Sequence, residues 1–360
     1  DAGLTDALSN FYAQLRALAQ NPGSPNVREA TVGAATRLAV SFNQTAIALD
    51  SARTGVDSRL EGQLPEINES LQQIARLNSQ ISQASIAGGR PNDLLDARQK
   101  LVDRVSALTG ATVIPNNAGD ANLTLPSGVS LVQGDRAATL SVRPDPANGS
   151  RLGLWVQTPS ATTPTQLTQP PGGELGGMMA ARDGAMLNAQ TRLDQLAFDF
   201  GNAINAVSQT GFALDGSTGR SIFNVQATVT GAARSLTVDA AIAANVSLLP
   251  AAGAAGASGD GTIAQAMINT ESQLLSGGRS AEAELASITA NYGATTARVT
   301  ATSEGDAAVL TNLNALRQSA SGVSIDEELV NMQRSQRAYE AVSRVIKVAD
   351  QMLETLLALK

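Results

Sequence analysis

The sequence contains no cysteine and no histidine. The first absence removes disulfides, thiolate metal sites and thiol catalysis together. The second removes the commonest general base and the commonest transition-metal ligand. Aromatic residues make up only 3% of the chain, with a single tryptophan, which ill suits a deep aromatic-lined ligand pocket. Positive charge is short as well: 25 Lys and Arg face 32 Asp and Glu, for a net charge of −7 and a pI near 4.8. There is no electrostatic footprint for nucleic acid. No apolar run reaches the roughly eighteen residues of a membrane-crossing helix, so no membrane insertion is expected. These absences argue against an enzyme, and no cofactor or metal is expected. What is present, 360 residues with 43% hydrophobic content and many Ala, Ser, Thr, Gln and Asn, suits two or three domains built of long, closely packed helices.

Periodicity organises the chain. Leu4, Leu8, Phe11, Leu15 and Leu18 have helical spacing, ended by Asn21-Pro22-Gly23. Ser24-Pro25 then opens a second pattern through Val27, Ala30, Ala34, Leu38, Phe42, Ala46 and Leu49, extendable past Gly55 toward Leu64, with Ser24 as a cap and Pro25 at the first helical position. A third runs from Leu64 through Ile67, Leu71, Ile74, Leu77 and Ile81 to Gly88-Gly89, and a fourth from Asn92, a plausible cap, to Leu108 before Gly110. Between Ala111 and about Pro171, short alternating runs are separated by Asn-Asn, Pro-Ser-Gly, Gln-Gly-Asp, Pro-Asp-Pro and Asn-Gly turns, which predicts a small antiparallel β insert. Helix returns over Met178–Ser208, followed by an irregular stretch with a strand expected at Ser235–Val238 and the Ala/Gly-rich loop Pro250–Gly261. Thr262–Ser276 reads as a short helix and Ser280–Ser319 as a long one. The expected fold class is mainly α with a β insert (α+β), a long-helix bundle or coiled coil carrying an inserted antiparallel β domain. Its divisions are residues 1–110 (N-terminal half of the bundle), 111–173 (β-rich insert), 174–320 (the bundle's return, with an irregular or β segment at 211–261) and 321–360 (a C-terminal amphipathic assembly helix).

The last stretch is the most informative. Ser321-Gly322 leads into Ser324-x-x-Glu327, a capping-box pattern. Apolar residues then recur every three or four positions, with only Gln336 interrupting the stripe. At 1.5 Å per residue the helix reaches roughly 50 Å, longer than a small domain is wide, so part of its seam needs a partner. Leu329, Met332, Gln336, Tyr339, Val342, Ile346, Leu353 and Leu356 are the candidate partner-facing residues.

Other motifs carry no chemistry. Asp215-Gly-Ser-Thr-Gly219 resembles a calcium loop but lacks the downstream bidentate Glu, and reads as a turn. Asp326-Glu327-Glu328 offsets the helix dipole more simply than it makes a paired-carboxylate or metal site. The Asn-x-Ser/Thr sequons at Asn43, Asn68, Asn122, Asn148 and Asn245 are expected by chance in this composition. Gly172-Gly173 and Gly176-Gly177 lack the Lys-Ser/Thr of a phosphate loop and read as punctuation before a helix.

Several segments together resemble the flagellar hook-associated protein 1 (FlgK) family. Leu4–Arg28, with FYAQLRALAQNPGSPNVR, is similar to that family's Asn-Pro-x-x-x-x-x-Arg segment. PNDLLDARQKL (Pro91–Leu101) resembles its PN-x-LLD-x-R-x-x-L motif, and GVSLVQGDRAATL (Gly128–Leu140) its LVQG strand. Leu175–Asn205 with GFALDGSTGRSIF (Gly211–Phe223) resembles its long helix and following turn. Gly322–Leu357 resembles the C-terminal signature shared by rod, hook and hook-associated proteins. The family's N-terminal portion, with its Asn-Asn-x-x-Asn type signature and the helix that pairs with the C-terminal one, has no counterpart here. Asp1 is therefore expected to fall well inside the family pattern. A second β insert is expected to be reduced or missing between Phe223 and Thr262.

The resemblance implies a structural subunit of the bacterial flagellum, exported unfolded through the type III apparatus to the cell exterior. It implies self-assembly into a ring at the hook–filament junction, with flagellar hook protein below and hook-associated protein 3 above. It also implies an export chaperone docking on the C-terminal helix, and terminal segments such as Gly322–Lys360 that stay unstructured until assembly. The alternatives are another axial flagellar protein (rod, hook or flagellin-like) and a surface adhesin using the β insert. A carboxylate glycosidase would need two acids facing across a cleft, and spacing assigns no such pair.

Overall fold

Helix α1 (Ala2–Gln20) stops where Asn21-Pro22-Gly23 breaks the pattern, and α2 starts with Pro25 at its first position. The structure, a computed structural model, describes residues 2–87, 91–116, 119–321 and 325–358. Ser24 is the residue before α2, but its side chain makes no capping hydrogen bond. Helix α2 then runs unbroken from Pro25 to Ile86, 62 residues with Pro65 inside. The two apolar stripes that the sequence separates near Leu64 are therefore one helix, and three helices, not four, lie within residues 1–110 among those described. An internal proline removes a backbone donor and costs about 3 kcal/mol. Burial of Leu60, Leu64, Ile67 and Leu71 on both sides of it offsets that cost. Helix α3 (Asn92–Thr109) begins with Pro91, not Asn92, in the cap position and stops at Gly110, whose φ of 68° is left-handed. A Cβ on Gly110 would lie 2.6 Å from the Gly172 Cα, so this glycine lets two backbones touch where the β insert leaves and rejoins the helices. Gly88-Gly89, the expected terminator of α2, lies outside the described residues.

The insert contains two antiparallel sheets. Strands β1 (Thr112–Pro115), β2 (Ala121–Thr124), β3 (Ser130–Gln133) and β4 (Arg136–Ala137) pair in sequence order. Strands β5 (Thr139–Asp145) and β6 (Arg151–Gln157) form a hairpin in register from Thr139↔Gln157 to Asp145↔Arg151, and β7 (Thr165–Gln166) adds to β6. Inward alternation puts Leu140, Leu154 and Val156 in the core. Strands β1, β2, β3, β5 and β6 overlap the alternating runs of the sequence, whereas β4 and β7 lie outside them, β7 in a stretch expected to be loop.

Helix α4 (Gly173–Ala180) starts five residues before the expected Met178, so Gly172 sits in the cap position and Gly173, Gly176 and Gly177 lie inside its first turns. A π-helical segment, Ala181–Met186, joins it to α5 (Leu187–Ser208). Beyond come β8 (Phe223–Asn224), α6 (Ala232–Ser235), β9 (Thr237–Val238, paired with β8), α7 (Ala240–Ala244) and α8 (Thr262–Asn269). Helix α9 covers Ala281–Ser321 and α10 Ile325–Ala358. The protein divides into two compact units, residues 1–293 and 294–360.

The first unit has two apolar cores strung along α2. One gathers α1, the Val32–Ala46 stretch of α2, α5, residues 222–251, α8 and the start of α9. At its centre Phe200 meets Phe11, Tyr12, Phe42 and Phe223 with ring centroids 5.6–6.3 Å apart. The other core joins the Leu60–Ala75 stretch of α2 to α3, both sheets of the insert and Leu175. Among the described residues no helix is long and apolar enough to cross a membrane.

Candidate assembly surface

In the second unit the helices α9 (from Ala294) and α10 expose their side chains. From Ala294 through Arg344, every described side chain is exposed except Thr295 and Ser343, which are half-buried. Leu329, Met332, Tyr339 and Val342 are 49, 52, 77 and 57% exposed, and Gln336 is exposed too. Ile346, Leu353 and Leu356 belong to α10, but their side chains lie outside those described, as do the capping pair Ser324 and Glu327 and the acids Asp326 and Glu328. The heptad-like spacing falls behind a straight 3.6-residue helix by about 20° per heptad, so the seam winds slowly around α10. An apolar seam on a helix is stable only when covered, and Val330, 47% exposed, widens it. Leu310, Leu313 and Leu316 on α9 are likewise exposed.

What sequence reasoning missed is a set of polar side chains that tie distant segments together. Arg28, 1% exposed, donates from Nε to the Pro22 carbonyl (2.5 Å) and from Nη1 to those of Leu249 (2.6 Å) and Val246 (3.4 Å). The Asn-Pro-x-x-x-x-x-Arg motif thus locks the α1–α2 turn onto the loop after α7. Asn205 accepts from the Ile222 and Phe223 amides and donates to the Phe223 carbonyl, fixing the segment after α5. Asn68 exchanges two hydrogen bonds with the Leu140 backbone. Asn78 holds Ala121 and Gly134, and Arg98 of the PNDLLDARQKL motif holds Asn78 and Gly119. Asn43 donates to Ala233 and Leu236, so two of the sequon asparagines, Asn43 and Asn68, are structural pins. The one legible signal was asparagine on helix positions that propensity disfavours. Asp215 closes its turn by accepting from the Ser217 amide and hydroxyl, as the turn reading expects.

Between the two cores lies a layer of charge. Arg182, fully buried in the π segment, donates to both oxygens of Asp183 (2.8 and 2.7 Å), to Asp57 and to the Leu152 carbonyl (2.8 Å). Arg53 reaches the Arg182 carbonyl (3.2 Å) and Gln190 (2.8 Å). Arg151 reaches Thr54 (2.8 Å), Asp57 (3.3 Å) and Asp50. Burial disfavours ionisation of Asp183, but hydrogen bonds from Arg182 and the nearby guanidinium charges outweigh it and hold the carboxyl below its usual range. A carboxyl depressed in the folded state stabilises the fold above its unfolded pKa. That contribution is lost as pH falls from about 4 through the folded value. Thermal unfolding at pH 7 and pH 3 should therefore show a smaller acid-induced loss for Asp183→Asn than for the parent; equal losses would remove Asp183 from the account. A half-open cavity of about 410 Å³ adjoins this layer. Among the described residues no group of three or more Asp or Glu could hold a metal ion.

Known proteins place these features. Residues 1–223 match the family model of the flagellar hook-associated protein FlgK helical domain. Residues 317–359 match that of the flagellar basal body rod FlgEFG protein C-terminal region. Flagellar hook-associated protein 1 of Salmonella typhimurium is 32% identical over 62% of this chain and 41% of its own length. That of Escherichia coli is 26% identical over 100% of this chain and 81% of its own. The solved structure of the flagellar hook junction protein FlgK from Burkholderia pseudomallei superposes with a TM-score of 0.59 at 31% identity, over 62% of this chain and 41% of that one. The matched stretch thus spans about two fifths of the Salmonella and Burkholderia relatives. The class is that of the structural, non-enzymatic axial proteins of the bacterial flagellum. Within it, the chain belongs to the flagellar hook-associated protein FlgK family.

Proposed function

We propose that the protein is a structural subunit of the hook–filament junction, which self-assembles into a ring through the α10 seam. The exposed apolar stripe Leu329, Met332, Tyr339 and Val342, inside a region matching the rod and hook C-terminal model, carries this reading. In it, the subunit reaches the cell exterior by type III export, contacts flagellar hook protein on one side and hook-associated protein 3 on the other, and offers α10 to an export chaperone beforehand. Ile346, Leu353 and Leu356 extend this proposed contact by their sequence spacing alone. Residues 111–173 form an outer insert. The absence of cysteine fits a chain threaded through a narrow export channel.

Carboxylates placed in a covered seam cost several kcal/mol, about two to three orders of magnitude in subunit affinity. Met332→Asp with Tyr339→Asp, introduced into the full gene, should abolish filament attachment while the protein is still made. Ala341→Asp, on the opposite side of α10 by helical geometry, should leave swimming intact. Normal filaments on the double variant would remove α10 from the interface.

A further inference from the structure

The two cores do not merge. On α2 no apolar side chain is buried between Ala46 and Leu60, and the buried residues in that interval are Arg53 and Asp57. That interval is about 20 Å of helix. On the neighbouring α4–π–α5 run, only Arg182 is buried between Leu175 and Ala189. At this same level both runs carry a glycine with no packing reason to be one. A Cβ on Gly55 of α2 or on Gly184 of the π segment would meet nothing within 4 Å, and neither residue has a positive φ. Glycine weakens a helix relative to alanine, and a π segment interrupts regular hydrogen bonding.

We propose that this waist is a built-in bending joint between the α1-centred core and the core that carries the β insert. The helices flex at Gly55 and at the π segment while the Arg–Asp layer changes partners. Asp50 sits at the exchange point: one oxygen takes Arg151 from the insert, the other takes Arg234 from the opposite core at 3.3 Å. Interdigitated apolar side chains resist such sliding, and none is buried on α2 across this interval. The half-open cavity gives the motion room, with Asn148 and Gly149 of the β5–β6 turn on one wall and Val229 and Thr230 on the other. The joint is independent of the assembly role.

Because the chain has no cysteine, introduced pairs can be spin-labelled cleanly in the full protein. Ala13→Cys with Ser127→Cys spans the waist, and Ala13→Cys with Ala243→Cys stays within one core; all three positions are exposed. Pulsed electron paramagnetic resonance should give a broader distance distribution for the spanning pair than for the control. Gly55→Ala with Gly184→Ala, which the open space around both glycines allows to fold, should narrow the spanning distribution to the control's width. A spanning pair as narrow as the control in the parent would overturn the joint. So would a broad distribution that the two alanines leave unchanged.

Discussion

Phe200→Ala is expected to lower the stability of the first unit by about 3–5 kcal/mol, read from chemical denaturation. Phe200 is 2% exposed and lies among four other rings, contributed by α1, α2 and β8. Edge-to-face and tilted ring pairs add to the burial itself. The chain has six Phe, three Tyr and one Trp, so half of its scarce aromatics are spent at this one point. Phe200→Leu, which keeps most of the apolar volume, should recover most of the loss. An alanine variant within about 1 kcal/mol of the parent would mean that the cluster is loosely packed, against the burial described.

The second large effect concerns Arg182. Its replacement by alanine leaves Asp57 with Arg151 alone, takes both Arg182 donors from Asp183 and leaves the Leu152 carbonyl without its donor. Breaking a buried ion pair from one side costs about 3–5 kcal/mol, more than the net worth of the pair. The same asymmetry predicts that Arg182→Met combined with Asp57→Asn and Asp183→Asn is less damaging than Arg182→Ala alone. Comparing the denaturation midpoints decides this. A triple variant worse than the single one would show that the layer contributes favourable energy beyond neutralising its own charges.

Local features were legible in the sequence and long-range ones were not. The end of α1 at Asn21-Pro22-Gly23, the β5–β6 hairpin turn and the α10 stripe each follow from a few neighbouring residues. The continuity of α2 through Pro65 does not, because it depends on Leu60 and Ile67 being buried against a β insert far along the chain. The π segment gave no warning in composition or spacing. Arg28, Arg182, Asn78 and Asn205 read as ordinary polar residues until folding brings their backbone partners to them. At the candidate surface, spacing alone selected Leu329, Met332, Tyr339 and Val342, all of which are exposed.

The most direct test of the junction assignment is deletion of the gene in its source bacterium, followed by electron microscopy of the flagella and a blot of the medium for flagellin. Bare hooks and flagellin released into the medium, both reversed by the intact gene, are the expected result. Normal filaments on the deletion strain would contradict it.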